Sequence, residues 1–344
     1  MLAPRADAGL ASVLARQPQA FPLNRALGQL VEAGLDRLPF PASGRTLERW
    51  KSLAAVASHD LSLVKLFEGH TDALAILKEL GADVSSLDLD TSTQRLWGTW
   101  CAEPPDARLE MHSRDGGPTA TLHGTKAWCS GAQAVTHAVV SCWDEDGEPR
   151  LAAVELQQPG VTVTDDGWHA VGMAPTKSVD VLFDGAVAMA VGGPGDYVGR
   201  PGFWQGGAGI AACWYGGAAG IAEMTRQRCG PKPDPHRLAH LGAIDVALAG
   251  AAAVLRETAA WIDAQPTASA QLHATRARLV CERAATDVVF HAGRALGAAP
   301  LCRDARFAQA MADLPVFIRQ SHAERDLASL GDLLRTASEP PWTL

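Results

Sequence analysis

The chain has 344 residues, 47% of them hydrophobic and 20% charged, with a formal net charge of −8. That length allows two or three folded units with sizeable cores, and the acidic balance excludes a general nucleic-acid binder, which needs a basic stripe against phosphates. The cysteines (Cys101, Cys129, Cys142, Cys213, Cys229, Cys281, Cys302) are odd in number and contain no CxxC pair, so buried free thiols of a cytoplasmic protein are expected rather than a disulfide framework or a zinc site.

The opening MLAPRADAGLASVLARQPQAF has arginines within its apolar pattern, and neither a signal peptide nor a run long enough to span a bilayer is expected. Residues 24–94 read as helical. TLERWKSLAAVAS sets Leu47, Trp50, Leu53, Ala54 and Ala57 on one face; the next helix starts after Asp60 and stops at Gly81. His70 lies there between Glu68 and Asp72, but those neighbours point to different helix faces, so a structural histidine is favoured over a metal ligand.

From residue 95 the pattern changes to short β runs with turn punctuation: RLEMHS before RDGG, TATLHG, HAVVSCW before DEDGEP, RLAAVEL before QQPG, VTVTD, and SVDVLF before DG. An antiparallel β domain, a barrel or sandwich, follows from it. Helix returns at GGAGIAACWYGGAAGIAEM, where Gly209, Cys213, Gly216 and Gly220 form a small-residue stripe that admits another backbone. No GxGxxG follows a strand and no Walker lysine is present. Two Ala-rich helices, about 240–264 and 268–293, come next, then a last one broken near Pro315. The expected class is α+β: an N-terminal helical domain (1–94), a central β domain (95–198) and a C-terminal four-helix bundle (199–344).

Several motifs of the central region resemble the acyl-CoA dehydrogenase superfamily of FAD flavoproteins. LHGTKAWCSGA is similar to that family's N-G-x-K-x-W-I-[ST]-x-A strand through Gly124, Lys126, Trp128, Ser130 and Ala132. WCAEPPDARL resembles its T-E-P-x-x-G-S-D segment through Glu103 and Pro104. The run from Pro159 to Asp184 resembles its P-G-V and G-M-R-x-[ST] segments through Gly160, Gly172, Met173 and Ser178.

The resemblance implies that Trp128 lies against a flavin ring and that the Ser130 hydroxyl bonds it near N5, with backbone amides from Trp128, Cys129 and Ser130 available to the ring's carbonyl edge. An indole shields a planar ring from water with few rotors, and a hydroxyl can donate or accept as the redox state changes. Where the family has a flavin-binding Thr, Ala102 stands; where it has a pyrophosphate-binding Ser, Arg108 stands, whose planar fork suits phosphate. Arg226 takes the place of the family's cofactor arginine, with Arg228 beside it.

The implied reaction is Cα–Cβ dehydrogenation of an acyl thioester, with hydride passing to N5 of FAD in a homodimer or homotetramer. The family's glutamate base is missing: its loop reads DLPVFIRQSHAERDLASLG, and its other location falls near Ile210. Asp313, Glu324 and Asp326 are the acidic candidates nearby. The same segment resembles flavin-dependent hydroxylases of this fold, with Asp313 and then His322 in the places of an acid and a histidine over the flavin; Arg319, His322 and Asp326 would share a helix face. A monooxygenase or oxidase is therefore the second reading, and a non-catalytic assembly module the third.

Overall fold

The computed structural model describes residues 8–18, 20–87, 94–113, 117–339 and 342. The protein is an α+β molecule. Its helices are α1 (Ala8–Arg16), α2 (Leu23–Glu32), α3 (Thr46–His59), α4 (Leu61–Glu79), α5 (Asp196–Gly199), α6 (Gly202–Gln227), α7 (Pro235–Ala264), α8 (Gln271–Leu296), α9 (Ala298–Arg303), α10 (Ala305–Phe317) and α11 (Glu324–Arg335). The strands are β1 (Trp97–Trp100), β2 (Leu109–Ser113), β3 (Thr119–Cys129), β4 (His137–Trp143), β5 (Pro149–Glu155), β6 (Val161–Val163) and β7 (Val179–Val191). Contacts divide the chain into two units: residues 8–38 with 62–203, and residues 39–61 with 204–344.

The first unit is built on the sheet. Strands β4, β2, β3, β7 and β5 pair in that order and β5 returns to β4, which closes a ring; β1 joins β4 and β6 joins β7. Four of the five ring pairings are antiparallel, but β2 meets β4 in parallel, as does β1. The all-antiparallel expectation is corrected accordingly. The β2–β3 hairpin lies between β1 and β4 in sequence and supplies the crossover that a parallel pair requires. β1 carried no turn signal in the sequence.

The DEDGEP and QQPG turns form where expected: the Gly147 amide donates to the Asp144 carbonyl, and Gly160 takes φ +84°. Part of the RDGG turn, residues 114–116, lies outside the described residues. The Asp184-Gly185 dipeptide does not end a strand. Leu122 pairs with Ala186 and His123 with Asp184, so Gly185 (φ +74°) is the extra residue of a bulge inside β7.

α4 packs its apolar side into this unit, where Ala73, Ile76 and Leu77 meet Trp97, Val139, Leu151 and Val191. Gly81 (φ +64°) closes the helix as expected, its amide donating to Lys78 and that of Ala82 to Leu77. His70, 1% exposed, is a tie rather than a ligand. Its Nδ1 accepts from the Trp97 amide at 3.0 Å, which leaves Nε2 to donate to Asp36 at 3.3 Å. No cluster of metal-ligating side chains occurs among the described residues.

In the second unit the small-residue stripe of α6 faces α3. A Cβ on Gly216 would overlap the Ala54 backbone, and one on Gly220 would sit 2.8 Å from the Ser58 carbonyl oxygen. Gly216→Val should therefore cost about 3 kcal/mol by overpacking, read as a shifted denaturant midpoint at constant slope. α7 begins on Asp234, whose side chain accepts from the amides of His236 and Arg237, and runs along α8. It is long and apolar enough to cross a membrane by length and composition, which corrects the expectation that no run is that long. The last helix breaks near Pro315 as expected: Pro315 sits in the final turn of α10, which ends at Phe317. The chain leaves helix at residues 321–323, where Ala323 takes φ +45°.

Candidate active site

The stretch from Lys126 to Gly131 holds the most strained backbone of the sheet. Lys126 pairs with Val181 and Cys129 with Val179, so β3 spends three residues where β7 spends two. The extra residue bends the strand, and Trp128 falls at φ +58°. A bulky side chain in the left-handed region costs roughly 1–2 kcal/mol and marks a functional constraint. Its neighbours Ala127 and Cys129 are buried, whereas Trp128 is 54% exposed. Gly131 (φ +73°) follows because a Cβ there would come within 2.7 Å of Leu66.

The rest of the wall is made of hydroxyls and backbone. The Ser130 carbonyl accepts from the Trp100 indole at 3.0 Å, and the Gly131 amide donates to the Thr176 carbonyl at 2.7 Å. The Ser130 and Ser178 hydroxyls are 2.8 Å apart, Ser178 and Thr176 are 3.0 Å apart, and Thr176 donates to the Met173 carbonyl at 2.7 Å. Met173 and Lys177, both at positive φ, shape the turn that brings these groups together. Cys129 is buried, and desolvation pushes its thiol pKa far up, so it is an inert packing group rather than a nucleophile.

Beneath the wall lies a buried ion pair. Lys126, 2% exposed, donates to Glu103 at 2.6 Å and to the Ser141 carbonyl and hydroxyl at 2.8 and 2.7 Å. Glu103 also accepts from Ser141 Oγ and from the Trp143 indole at 3.2 Å. This clamp holds the loop that carries Ala102 and Arg108. Arg108 is exposed, 3.3 Å from Glu110 and with its guanidinium 5.0 Å from the centre of the Trp143 ring. Glu103 and Lys126 enter the sequence analysis only through their motifs, since nothing local pairs positions 23 residues apart.

A cavity of about 230 Å³ is lined by Asp165, Trp168, His169, Ala174, Lys177 and Val179. The buried Trp168 Nε1 has no hydrogen-bond partner among the described residues. An exposed indole face and a polar hydroxyl edge suit a planar aromatic cofactor with polar edges, and the residues present fit a flavin ring.

The remaining candidates lie in the other unit. Arg226 is exposed and forked onto Glu223 at 2.6–2.7 Å; Arg228 is engaged by Asp304 and the Met224 carbonyl. Asp313 is buried and accepts from Gln309 at 2.7 Å, while Glu324 is exposed in the first turn of α11. Neither is a carboxylate held free in an apolar pocket, the arrangement that raises a base to working pKa. His322 and Asp326 do come together, with Nδ1 3.5 Å from the carboxylate and the His322 amide donating to it at 3.0 Å. The shared helix face is corrected: His322 precedes α11, and Arg319 turns to Glu282.

No family model matches the chain. Among curated proteins, the amino sugar nitrososynthase DnmZ of Streptomyces peucetius is 47% identical over 68 residues, 19% of this chain and 16% of the relative. The dibenzothiophene monooxygenase of Rhodococcus erythropolis is 27% identical over 245 residues, 59% of this chain and 57% of the relative. The chain thus matches less than two thirds of the length of either. Among solved structures, the dibenzothiophene monooxygenase TdsC of Paenibacillus sp. A11-2, seen with FMN and indole, aligns at TM-score 0.77 and 20% identity, over 97% of this chain and 96% of TdsC. A nitrososynthase from Micromonospora carbonacea var. africana aligns at TM-score 0.78 and 20% identity, over 98% and 99%. KijD3, solved with FMN and a dTDP amino sugar, aligns at TM-score 0.77 and 20% identity over 96% of this chain and 92% of KijD3. These neighbours carry an acyl-CoA dehydrogenase-like fold, and the protein has that α+β fold.

Proposed function

We propose that the protein is a flavin-dependent monooxygenase that uses FMN and oxygenates a nitrogen, sulfur or aromatic centre of a small molecule. The observation that carries the reading is Trp128, a large indole left half open on strained backbone beside the Ser130–Ser178 hydroxyl pair. Named relatives and neighbours support the reaction class: two dibenzothiophene monooxygenases, two nitrososynthases and the methanesulfinate monooxygenase MsuC of Pseudomonas fluorescens. FMN replaces the FAD expected from the sequence, because FMN is the flavin bound to TdsC and KijD3. Acyl thioester dehydrogenation is withdrawn: the named relatives perform other chemistry, and neither Asp313 nor Glu324 has the setting of an α-proton base.

Bound reduced flavin supplies two electrons to dioxygen, so that one oxygen atom enters the substrate and the other leaves as water. In this reading Trp128 covers the ring face and excludes water, Ser130 bonds the ring's polar edge, and the Glu103–Lys126 clamp fixes the strand beneath them. Arg108 meets the phosphate. His322, held by Asp326, is the candidate proton-transfer group. The C-terminal helices form a bundle that assembles a homodimer or homotetramer, and the protein works in the cytoplasm.

Trp128→Ala is expected to weaken FMN binding by at least tenfold, while leaving stability within about 0.5 kcal/mol because the side chain is largely exposed. Titration of FMN with thermal unfolding in parallel checks both. Unchanged affinity would remove the indole from the flavin site. Oxygen-18 transfer from labelled dioxygen to a thioether, amine or indole probe, in the presence of reduced FMN, tests the reaction itself.

A further inference from the structure

We infer that Ser130 is a one-way hydrogen-bond acceptor toward the cofactor, held so by Ser178 and Thr176, and that the site thereby favours reduced over oxidised flavin; this rests on the flavin reading above. The argument is one of counting protons. Thr176 has a single hydroxyl proton and lies 2.7 Å from the Met173 carbonyl oxygen, which can only accept. That proton is committed. Ser178, 3.0 Å from the Thr176 oxygen, must therefore donate to it. With its own proton used, Ser178 can only accept from Ser130 across their 2.8 Å separation.

Reversal at any link would set two oxygen lone pairs against each other. Thr176 is 1% exposed and Ser178 4%, so water cannot relieve the mismatch. The chain runs from Ser130 inward, and Ser130, partly exposed, offers lone pairs outward. Ala at position 178 would have left Ser130 free to turn its proton outward.

The isoalloxazine ring responds to such a partner. Its N5 presents a lone pair when oxidised and an N–H when reduced. A fixed acceptor opposes the first and bonds the second. The difference is one hydrogen bond plus one avoided repulsion, roughly a tenfold preference for the reduced ring. For a two-electron couple a tenfold preference is a rise of about 30 mV in midpoint potential. Ser178 and Thr176 touch no ligand in this scheme; they are positioning residues acting through Ser130.

The test is anaerobic titration of the full-length protein with FMN and with dithionite-reduced FMN, together with the potential of bound flavin against a reference dye. Wild type should bind the reduced form about tenfold more tightly. Ser178→Ala removes the inner acceptor, and Thr176→Val removes the acceptor that fixes Ser178. Each should bring the affinity ratio toward one and lower the potential. Loss of the ratio in both variants, with thermal unfolding intact, supports the inference. Equal affinity in wild type, or an unchanged ratio in both variants, overturns it while the flavin reading stands. Failure of wild type to bind either form overturns both.

Discussion

Glu103→Ala is expected to destabilise the protein by about 3–5 kcal/mol, because it strands a buried ammonium. Lys126 is 2% exposed and Glu103 is its only carboxylate partner among the described residues; the Ser141 groups that remain are neutral. The reverse change, Lys126→Met, should cost less. It leaves Glu103, whose side chain is 32% exposed, able to turn toward water and keep its bond from Trp143. Solvent access also means that the ion pair itself is worth far less than two isolated charges at 2.6 Å would suggest. The double variant Glu103→Leu with Lys126→Met should recover much of the loss, since an apolar pair of similar volume avoids desolvating two ions. Chemical denaturation of wild type and the three variants makes the comparison. A Glu103→Ala variant as stable as wild type would show that Lys126 finds another route to solvent, and would remove the clamp from the account of the site.

The clamp also shows what the sequence could reveal. The β region was legible because its punctuation is local: Asp-Gly and Pro-Gly report their own turns whatever surrounds them. Asp184-Gly185 was misread for the same reason. A glycine at positive φ serves a bulge as well as a hairpin, and only the register with β3 distinguishes the two. The closure of the ring and the parallel pairings of β1 and β2 depend on contacts far apart in sequence, which no dipeptide encodes. Trp128 and Ser130 stood out as residues, but the hydroxyl chain behind them joins position 130 to positions 176 and 178 and was invisible until β7 lay beside β3. The proposed preference for FMN over FAD was not legible either, because the proposed ring wall would serve both and Arg108 suits one phosphate as well as two. At the C-terminus, helical spacing grouped Arg319 with His322 and Asp326. The chain departs from helix between them, so only the second pair survives.

That surviving pair carries the largest expected effect on turnover. His322→Ala should lower oxygen transfer by about 10²-fold or more, the usual worth of a positioned proton-transfer group, with FMN affinity unchanged. Asp326 has two oxygens for two tasks: Oδ2 accepts from the His322 amide and fixes the backbone before α11, and Oδ1 faces Nδ1. Held in this way, the imidazole keeps Nε2 free, and its side chain is 65% exposed, open to an incoming substrate or proton donor. Asp326→Asn preserves the amide contact but withdraws the charge, so it should give an intermediate loss. Full replacement of the carboxylate by Ala should approach the loss seen on removing the histidine. Reducing equivalents consumed without oxygenated product should emerge as hydrogen peroxide, and the unchanged FMN affinity separates a failed proton transfer from failed cofactor binding. The measurement is product formed per reduced FMN across pH 6–9, expressed against peroxide released. A His322→Ala enzyme that oxygenates its substrate at the wild-type rate and yield would make the pair a plain helix-start contact, and the proton would have to come from elsewhere.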